Sequence, residues 1–441
     1  MSCHGSSVVR VVIAALALTL LLGGGWRPVA AYGQIEGAEE AIEGSSELLE
    51  QAYASGELQV AAAAAPQPWT LPQPCFLQRM GVRMGGWVEQ GITFNGAGRG
   101  DGFNGPVGLN DLVGEWQMNQ LWLYFDRPLG NKNCGWGLGG HVDLVYGTDW
   151  RFGINEGLED RINAFDRQTY GMVIPQAYME VGYNRLSVKL GHFASPLLVY
   201  ETVPSVANPF YSHSYAIAFS EPLLVTGVLA DYKLTDQWTL FAGFHRGWMK
   251  FEDNNGAIDP TGGFRWLSPS QRTSMIYAVS SGPQDPAGIQ DRFSHVFLMR
   301  QKIGERFEYI FQHDLGVEQN ALPGGGSADW YGITQYFLRT INPQWTALAR
   351  FEWFRDDDGV RVAGPPPQAG IRAWPGAPGF AGNFYELTIG LNWRPCPNLL
   401  LRPELRWDWY QGTPNSAGRQ PFNDGQDDSQ TLFATDLIVT Y

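Results

Sequence analysis

The run 398–410 reads NLLLRPELRWDWY and alternates between two kinds of residue. One set is apolar and comprises Leu399, Leu401, Leu405, Trp407 and Trp409, and the other comprises Arg402, Glu404, Arg406 and Asp408. Because successive side chains of a strand point to opposite faces, this run is predicted to be a strand with one apolar and one charged face. The last run, TLFATDLIVTY over 431–441, is a second strand of this kind and ends on Tyr441. Such strands are typical of a closed β-barrel in an outer membrane.

The composition separates this chain from ordinary soluble domains. Charged residues make up only 17% of its 441 residues, whereas soluble domains have roughly 25%. The formal net charge of −14 disfavours nucleic-acid binding, which needs a basic surface. No apolar run outside the N-terminal region reaches 18 residues, so any membrane crossing has to be made by strands that close into a barrel.

The N-terminal region is predicted to be removed or separate from the barrel. Arg10, the apolar run 11–22 and small residues at 29–31 predict a signal peptide over 1–31, with an uncleaved anchor as the alternative. Seven glutamates and no basic residue in 32–65, followed by a Pro-rich stretch, predict a short periplasmic acidic Ala/Glu helix and linker over 32–78. This segment could plug the barrel, contact the cell wall or act only as a tether. The barrel is then expected over 79–441.

The connections predict an even number of strands. Taking a weaker strand at 262–268 with the clear ones gives sixteen strands, with short turns at one end, eight long loops at the other and both chain ends in the periplasm. Aromatic residues near predicted strand ends suggest interfacial girdles, and these are Trp116, Trp136, Tyr146, Trp238, Trp248, Trp330, Trp345, Trp393 and Trp409. The fold class is therefore all-β, a 16-stranded antiparallel transmembrane barrel. Cys75 and Cys134 could pair as a disulfide, or the thiols could all be free.

Five short motifs together resemble a known family. They lie at 251–256, 312–317, 330–336, 351–359 and 402–408, and their order and spacing are similar to those of the OmpL-like β-barrel porins of planctomycete bacteria. The resemblance covers most of 79–441 and implies a secreted, porin-type barrel in the bacterial outer membrane. It carries no catalytic residues.

Sixteen strands leave an aqueous lumen, and the charged faces of three late strands are predicted to line it. The predicted pore-lining residues are Arg350, Glu352, Glu386, Arg394, Arg402, Glu404, Arg406 and Asp408. On the lipid face each arginine would cost about 2–4 kcal/mol near the midplane, so these side chains are expected to point inward. There they would screen solutes by charge and size, or they would simply pair with one another across strands.

The third long loop, 194–221, is rich in aromatic and apolar residues, which is unusual for a solvated loop. By analogy with sixteen-stranded general porins, we expect it to fold into the barrel as a constriction with Tyr200, Glu201, Tyr211 and His213 near the narrowest point. A lid on the rim or a subunit contact is the alternative.

These observations favour a porin for passive diffusion of small hydrophilic solutes. The alternatives are a structural or adhesive barrel tethered to the cell wall, and a sugar- or peptide-selective channel in which Tyr336 or Tyr410 stacks on the solute. Outer-membrane lipid and small solutes are the expected partners, with a homotrimer as the usual porin assembly and no nucleic acid. The seven histidines are scattered singly, and no spacing suggests a catalytic group, a metal site or a cofactor.

Overall fold

The computed structural model describes residues 68–98, 102–130, 135–163, 169–362 and 379–441. Nearly all regular structure in these ranges is β-strand. The sequence alternates apolar and polar residues, and only a strand places every second side chain on the same face. The strands are β1 Arg83–Asn95, β2 Gln117–Arg127, β3 Trp136–Gly147, β4 Gly171–Val173, β5 Ala177–Tyr183, β6 Leu186–Ala194, β7 Leu224–Lys233, β8 Trp238–His245, β9 Asp259–Leu267, β10 Thr273–Pro283, β11 Asp291–Ile303, β12 Phe307–Glu318, β13 Ala328–Asn342, β14 Trp345–Asp356, β15 Gly382–Cys396, β16 Leu399–Gly412 and β17 Ser429–Thr440. The helices are α1 Cys75–Met80 and α2 Glu159–Ile162.

The sheet closes on itself as a barrel of sixteen spanning strands, as predicted. Each strand pairs antiparallel with its neighbours. The first strand, β1, pairs with β2 and also with the last strand, β17. The β1–β17 pairing runs from Trp87↔Thr440 to Asn95↔Leu432. The short β4 and the longer β5 both pair with β3, so they are two parts of one interrupted strand. Each spanning strand of the described chain pairs with a neighbour on both sides, which is the condition for a sheet to cross lipid. The weak strand predicted at 262–268 is confirmed as β9.

Short turns lie at one end of the barrel and long loops at the other. The turn between β5 and β6 has only two residues, and its first, Asn184, has a φ of 53°. Asn tolerates this left-handed conformation better than most residues. The loop after β6 is the third long one and spans 195–223.

The N-terminal part of the described chain is fixed to the periplasmic rim. The backbone N–H and C=O of Trp69 bond to the side chain of Asn398, each at 2.8 Å. The Tyr441 hydroxyl donates to the carbonyl of Trp122 at 2.8 Å, which ties the last residue to β2.

The signal peptide and the acidic helix predicted at 32–65 lie outside the described residues. So does Cys134, while Cys75 and Cys396 are exposed free thiols. The described part of the chain contains no helix that is both long and apolar enough to cross a membrane.

The outer wall carries aromatic side chains near both ends of the strands. Trp345 and Trp393 stack with ring centroids 5.6 Å apart near the periplasmic end, and Tyr385 stacks on Trp409 at 5.3 Å near the other end. Rings at these levels match the two membrane interfaces. Trp248 and Trp330 do not belong to the girdles that the sequence suggested, because both are buried beside loop residues inside the barrel mouth.

Candidate functional site

The third long loop lies within the barrel, and we call residues 195–223 the inserted loop. All its residues are buried except Tyr200, Val206, Ala207 and Pro209, which are partly buried. It contains a 3₁₀ turn at Ser205–Ala207 and a π-helical turn at Ala216–Ser220. A solvated surface loop would expose most of its side chains, so its contacts with the inner wall have to account for its position.

One side of the inserted loop packs on an apolar wall. Leu197, Val199 and Phe210 belong to a cluster formed with inward side chains of strands β5 to β14. The wall side of this cluster is Tyr178, Phe193, Val225, Leu229, Phe241, Ala278, Val296, Leu298, Ile310, Tyr336, Leu338 and Leu348. Contact between two apolar surfaces removes both from water and stabilises the loop inside the barrel.

Three buried arginines of the wall, on β14 and β16, bind the loop backbone. Arg350 on β14 donates to the carbonyl of Ser212 at 2.8 Å. Arg402 on β16 donates to the carbonyls of Ser205 and Asn208 at 3.0 and 2.7 Å. Arg406, four residues further on, donates to the carbonyl of His213 at 2.6 Å.

Each arginine is also paired with carboxylates. Arg350 lies 2.8 Å from Glu386 on the next strand and 2.6 Å from Glu201 of the inserted loop. Arg402 lies 2.5 Å from Asp436 and 3.0 Å from Glu89, and Arg406 lies 2.8 Å from Asp408. Charge-assisted bonds of this kind are stronger than neutral ones. They hold the arginines in place beneath the loop carbonyls, and the Arg350–Glu201 pair binds the loop to the wall directly.

Two wall carboxylates accept N–H groups of the loop instead of pairing with arginine. Glu404 accepts from the backbones of Tyr211 and Ser212 at 3.0 and 2.9 Å. Glu352 accepts from Tyr215 and Ala216 at 2.5 and 2.8 Å, where the π-helical turn begins. A carboxylate at the N-terminal end of a helical turn satisfies N–H groups that have no partner within the turn.

Six of the eight wall residues singled out from the sequence therefore bond to the inserted loop, the sixth being Asp408, which accepts from the Tyr215 hydroxyl at 2.8 Å. A seventh, Glu386, pairs with Arg350 behind the loop. The exception is Arg394, which is partly buried at the periplasmic end and donates to the carbonyl of Pro397 at 3.3 Å. The alternative that these wall residues simply pair with one another across strands describes only part of this arrangement. The bonds from the wall to the loop backbone were not predicted from the sequence.

The four loop residues singled out from the sequence are placed differently from one another. Tyr200 packs on Tyr336 with centroids 4.5 Å apart, whereas Glu201 pairs with Arg350. Tyr211 extends toward β1 and β2, where its hydroxyl donates to Asn119 at 3.0 Å. Its ring fits because Gly91 has no side chain, and a Cβ there would lie 2.5 Å from ring atoms.

His213 lies at the centre of this arrangement, with its ring Nε2 3.1 Å from the Asn208 amide nitrogen. Burial lowers the pKa of His213 to about 4, although the nearby Glu201 carboxylate acts in the opposite direction. For Glu201, burial alone would raise the pKa, but Arg350, His213 and Ser214 outweigh it and hold the pKa below its usual range. At neutral pH the histidine is therefore neutral and the glutamate is ionised.

The first long loop also folds inward, which the sequence analysis missed. Residues 106–113 are all buried, and Asp111 forms two bonds with Arg151 of the second loop, at 2.7 and 2.9 Å. Glu89 and Asp436 were missed as well, although both alternate with apolar residues that face outward from their strands. That alternation was the available signal, and it would have placed both on the charged wall.

The pKa of His213 predicts an acid-sensitive stability. The unfolded chain binds a proton near pH 6.5, whereas the folded protein does so only near pH 4. Stability should therefore fall as the pH drops from 6.5 to 4, by about 3 kcal/mol at most, and should not depend on this group above that window. Urea unfolding in detergent micelles at pH 7 and pH 4.5 measures the loss. A His213→Gln variant should lose less stability on acidification, and an equal loss in both proteins would contradict the assignment.

Comparison with known proteins identifies the family. The family described as "Putative beta-barrel porin-2, OmpL-like" matches residues 81–441. The chain belongs to this porin family. It is an outer-membrane porin in fold and family, which confirms the expected family, localisation and general function. A search of curated proteins gave no match.

Solved structures of porins and channels share the fold at low sequence identity. The anion-selective porin from Comamonas acidovorans is 10% identical, with a TM-score of 0.55 over 82% of this chain and 99% of the other. The outer membrane channel DcaP of Acinetobacter baumannii is 12% identical, with a TM-score of 0.52 over 82% and 97%. OmpT of Vibrio cholerae in its trimer form is 12% identical, with a TM-score of 0.52 over 82% and 99%. At these identities the likeness shows the fold alone.

Proposed function

We propose that this porin admits small hydrophilic solutes by passive diffusion and that the inserted loop is the narrowest part of its path. The observation that carries the proposal is the loop held inside a closed sixteen-stranded barrel by a charged inner wall. A barrel of this size would otherwise enclose a wide aqueous channel. The loop divides that space and limits the size of what passes.

The wall residues have a positioning role in this proposal. Arg350, Arg402 and Arg406 hold the loop through its carbonyls, and Glu352 and Glu404 hold it through its N–H groups. Tyr200, Glu201, Tyr211 and His213 belong to the constriction itself. The packing disfavours stacking of sugars on Tyr336 or Tyr410 with the loop in place, because both rings are buried, Tyr336 against Tyr200 and Phe210.

Conductance of the purified protein in a planar lipid bilayer tests this function. We expect stepwise current increases as single barrels insert, each smaller than a barrel with an empty lumen would give. A folded barrel that inserts without passing current would instead support the structural or adhesive alternative. Burial of the loop side chains is the observation that favours this alternative.

We also propose that the barrel works as a homotrimer in the outer membrane, with lipid around the assembly. The support is that the similar Vibrio cholerae protein has been solved in a trimer form. Chemical cross-linking in native membranes, followed by electrophoresis, should give a ladder ending at three copies. We propose no catalytic role, since the fold and family are those of a channel.

A further inference from the structure

Two histidines lie on the outward face of the barrel, where lipid would surround a single copy. His295 is on β11 and His313 on β12, and each lies at least four residues from either end of its strand. Their neighbours Val296 and Asp314 are fully buried on the inward side, where Val296 belongs to the apolar cluster around the inserted loop. Because side chains alternate between the two faces of a strand, both imidazole rings point outward.

The two rings belong to a group of polar side chains on four neighbouring strands. The centroids of the His295 and His313 rings are 5.4 Å apart, and Tyr277 on β10 lies 5.6 Å from His295. Tyr309, also on β12, donates its hydroxyl to the amide oxygen of Gln335 on β13 at 3.0 Å. We call these five residues the histidine patch.

Hydrocarbon cannot satisfy the polar atoms of the histidine patch. Nδ1 of His295 is buried and has no hydrogen-bond partner in the part of the chain that the structure describes. The bond from Tyr309 occupies the amide oxygen of Gln335 and leaves its amide nitrogen as a donor. A polar group without a partner is costly in hydrocarbon, so polar side chains in the membrane usually face a protein surface or water.

Two other polar side chains at outward positions are satisfied within the chain. Gln90 on β1 accepts from the indole N–H of Trp116 at 2.9 Å. His192, near the outer end of β6, is 1% exposed, and its Nδ1 lies 2.8 Å from the Thr226 hydroxyl. The ring of Phe251 packs against it, with centroids 5.9 Å apart. The histidine patch lacks such a cover from its own chain.

Aromatic side chains on the same wall adjoin the histidine patch. Phe293 lies 6.2 Å from His295, and Phe337 lies 5.3 Å from Tyr309. Aromatic rings bury a large area and are enriched at protein interfaces. Rings beside unsatisfied polar atoms suit contact with protein better than contact with acyl chains.

We propose that this wall, the outward face of β10 to β13, binds a second copy of the chain. The inference rests on the proposed homotrimer and adds the face through which its copies meet. A neutral imidazole carries one donor and one acceptor, and the Gln335 amide nitrogen adds donors. An identical copy presents the same groups, so the copies can satisfy one another. In a threefold ring, the β10–β11 side of one copy meets the β12–β13 side of the next.

Spin labels at two matched leucines test the proposal. Cys75, Cys134 and Cys396 are first replaced by serine, and a nitroxide is then attached at Leu315→Cys or, separately, at Leu144→Cys. Leu315 is an outward residue of β12 opposite His295, and Leu144 is an outward residue of β3, eight strands away around the barrel of sixteen. In liposomes, we expect a short distance between copies and little access of oxygen to the label at Leu315. The label at Leu144 should be far from its copies and accessible to oxygen.

A second measurement tests the histidines themselves. His295→Phe combined with His313→Phe makes the wall more apolar, which lipid tolerates but which removes the proposed bonds between copies. The assembled form should therefore separate into single barrels at a lower temperature in electrophoresis, whereas Leu144→Phe should leave that temperature unchanged. Separation of the double variant at an equal or higher temperature overturns the role of the histidines.

The label results separate this inference from the assembly on which it rests. A short distance at Leu144, with Leu315 open to oxygen, overturns the assigned face and leaves the homotrimer standing. A shielded Leu315 with no short distance between copies shows a different partner and overturns the second copy. Accessible labels without a defined distance at either position overturn both the face and the homotrimer, while conductance reports separately on the diffusion channel.

Discussion

Removing residues 203–215 and joining the ends by a short Gly-Ser linker should raise the single-channel conductance several-fold. The deleted segment contains the four loop carbonyls that Arg350, Arg402 and Arg406 bind, at Ser205, Asn208, Ser212 and His213. Without it, the charged wall would face water across a wider lumen, as expected of an empty barrel of this size. The barrel itself should persist, because its strands pair through the backbone of neighbouring strands and not through the loop.

A matched control shortens a loop that has few interior contacts. Residues 319–327 connect β12 and β13 and are largely exposed, so replacing 320–326 by two glycines should leave the conductance unchanged. Heat-modified mobility in electrophoresis checks that both variants are folded. If the 203–215 deletion folds and conducts like the parent protein, the inserted loop is not the narrowest point.

Arg402→Met should cause the largest loss of stability among single substitutions at the site, about 3–5 kcal/mol. The substitution removes the partner of two buried carboxylates, Glu89 and Asp436, and the donor to the carbonyls of Ser205 and Asn208. Methionine preserves much of the side-chain volume, so the loss reports unpaired buried charge more than a cavity. The free energy of unfolding in urea, measured in detergent micelles, gives the magnitude.

Arg355→Met provides the comparison for an exposed ion pair. Arg355 and its partner Asp357 are about a third exposed, and pairs of this kind contribute at most about 1 kcal/mol. A loss for Arg402→Met no larger than that for Arg355→Met would show that the buried network does not hold the protein together.

The strand count, the strand direction and the inward face of the wall were predictable from the sequence because they depend on local alternation. Glu352, Glu386 and Asp408 share a face with polar neighbours, and lipid would not tolerate them on the other face. The apolar content of 194–221 indicated a buried loop, because a loop exposed to water is usually polar. A small deviation such as the break between β4 and β5 leaves this alternation intact and could not be read from it.

The partners of the charged residues were decided only by the tertiary structure. Arg402 reaches Glu89, 313 positions earlier, because barrel closure places β1 beside β17. The inserted loop reaches Arg350 and Arg406 inside this closed barrel. Groups that resembled the lining of an open pore are therefore bound to backbone carbonyls 138 and 193 residues away. Alternation along a strand fixes the face on which a side chain lies. The group that it meets there depends on register and loop path, which are set by packing between distant parts of the chain.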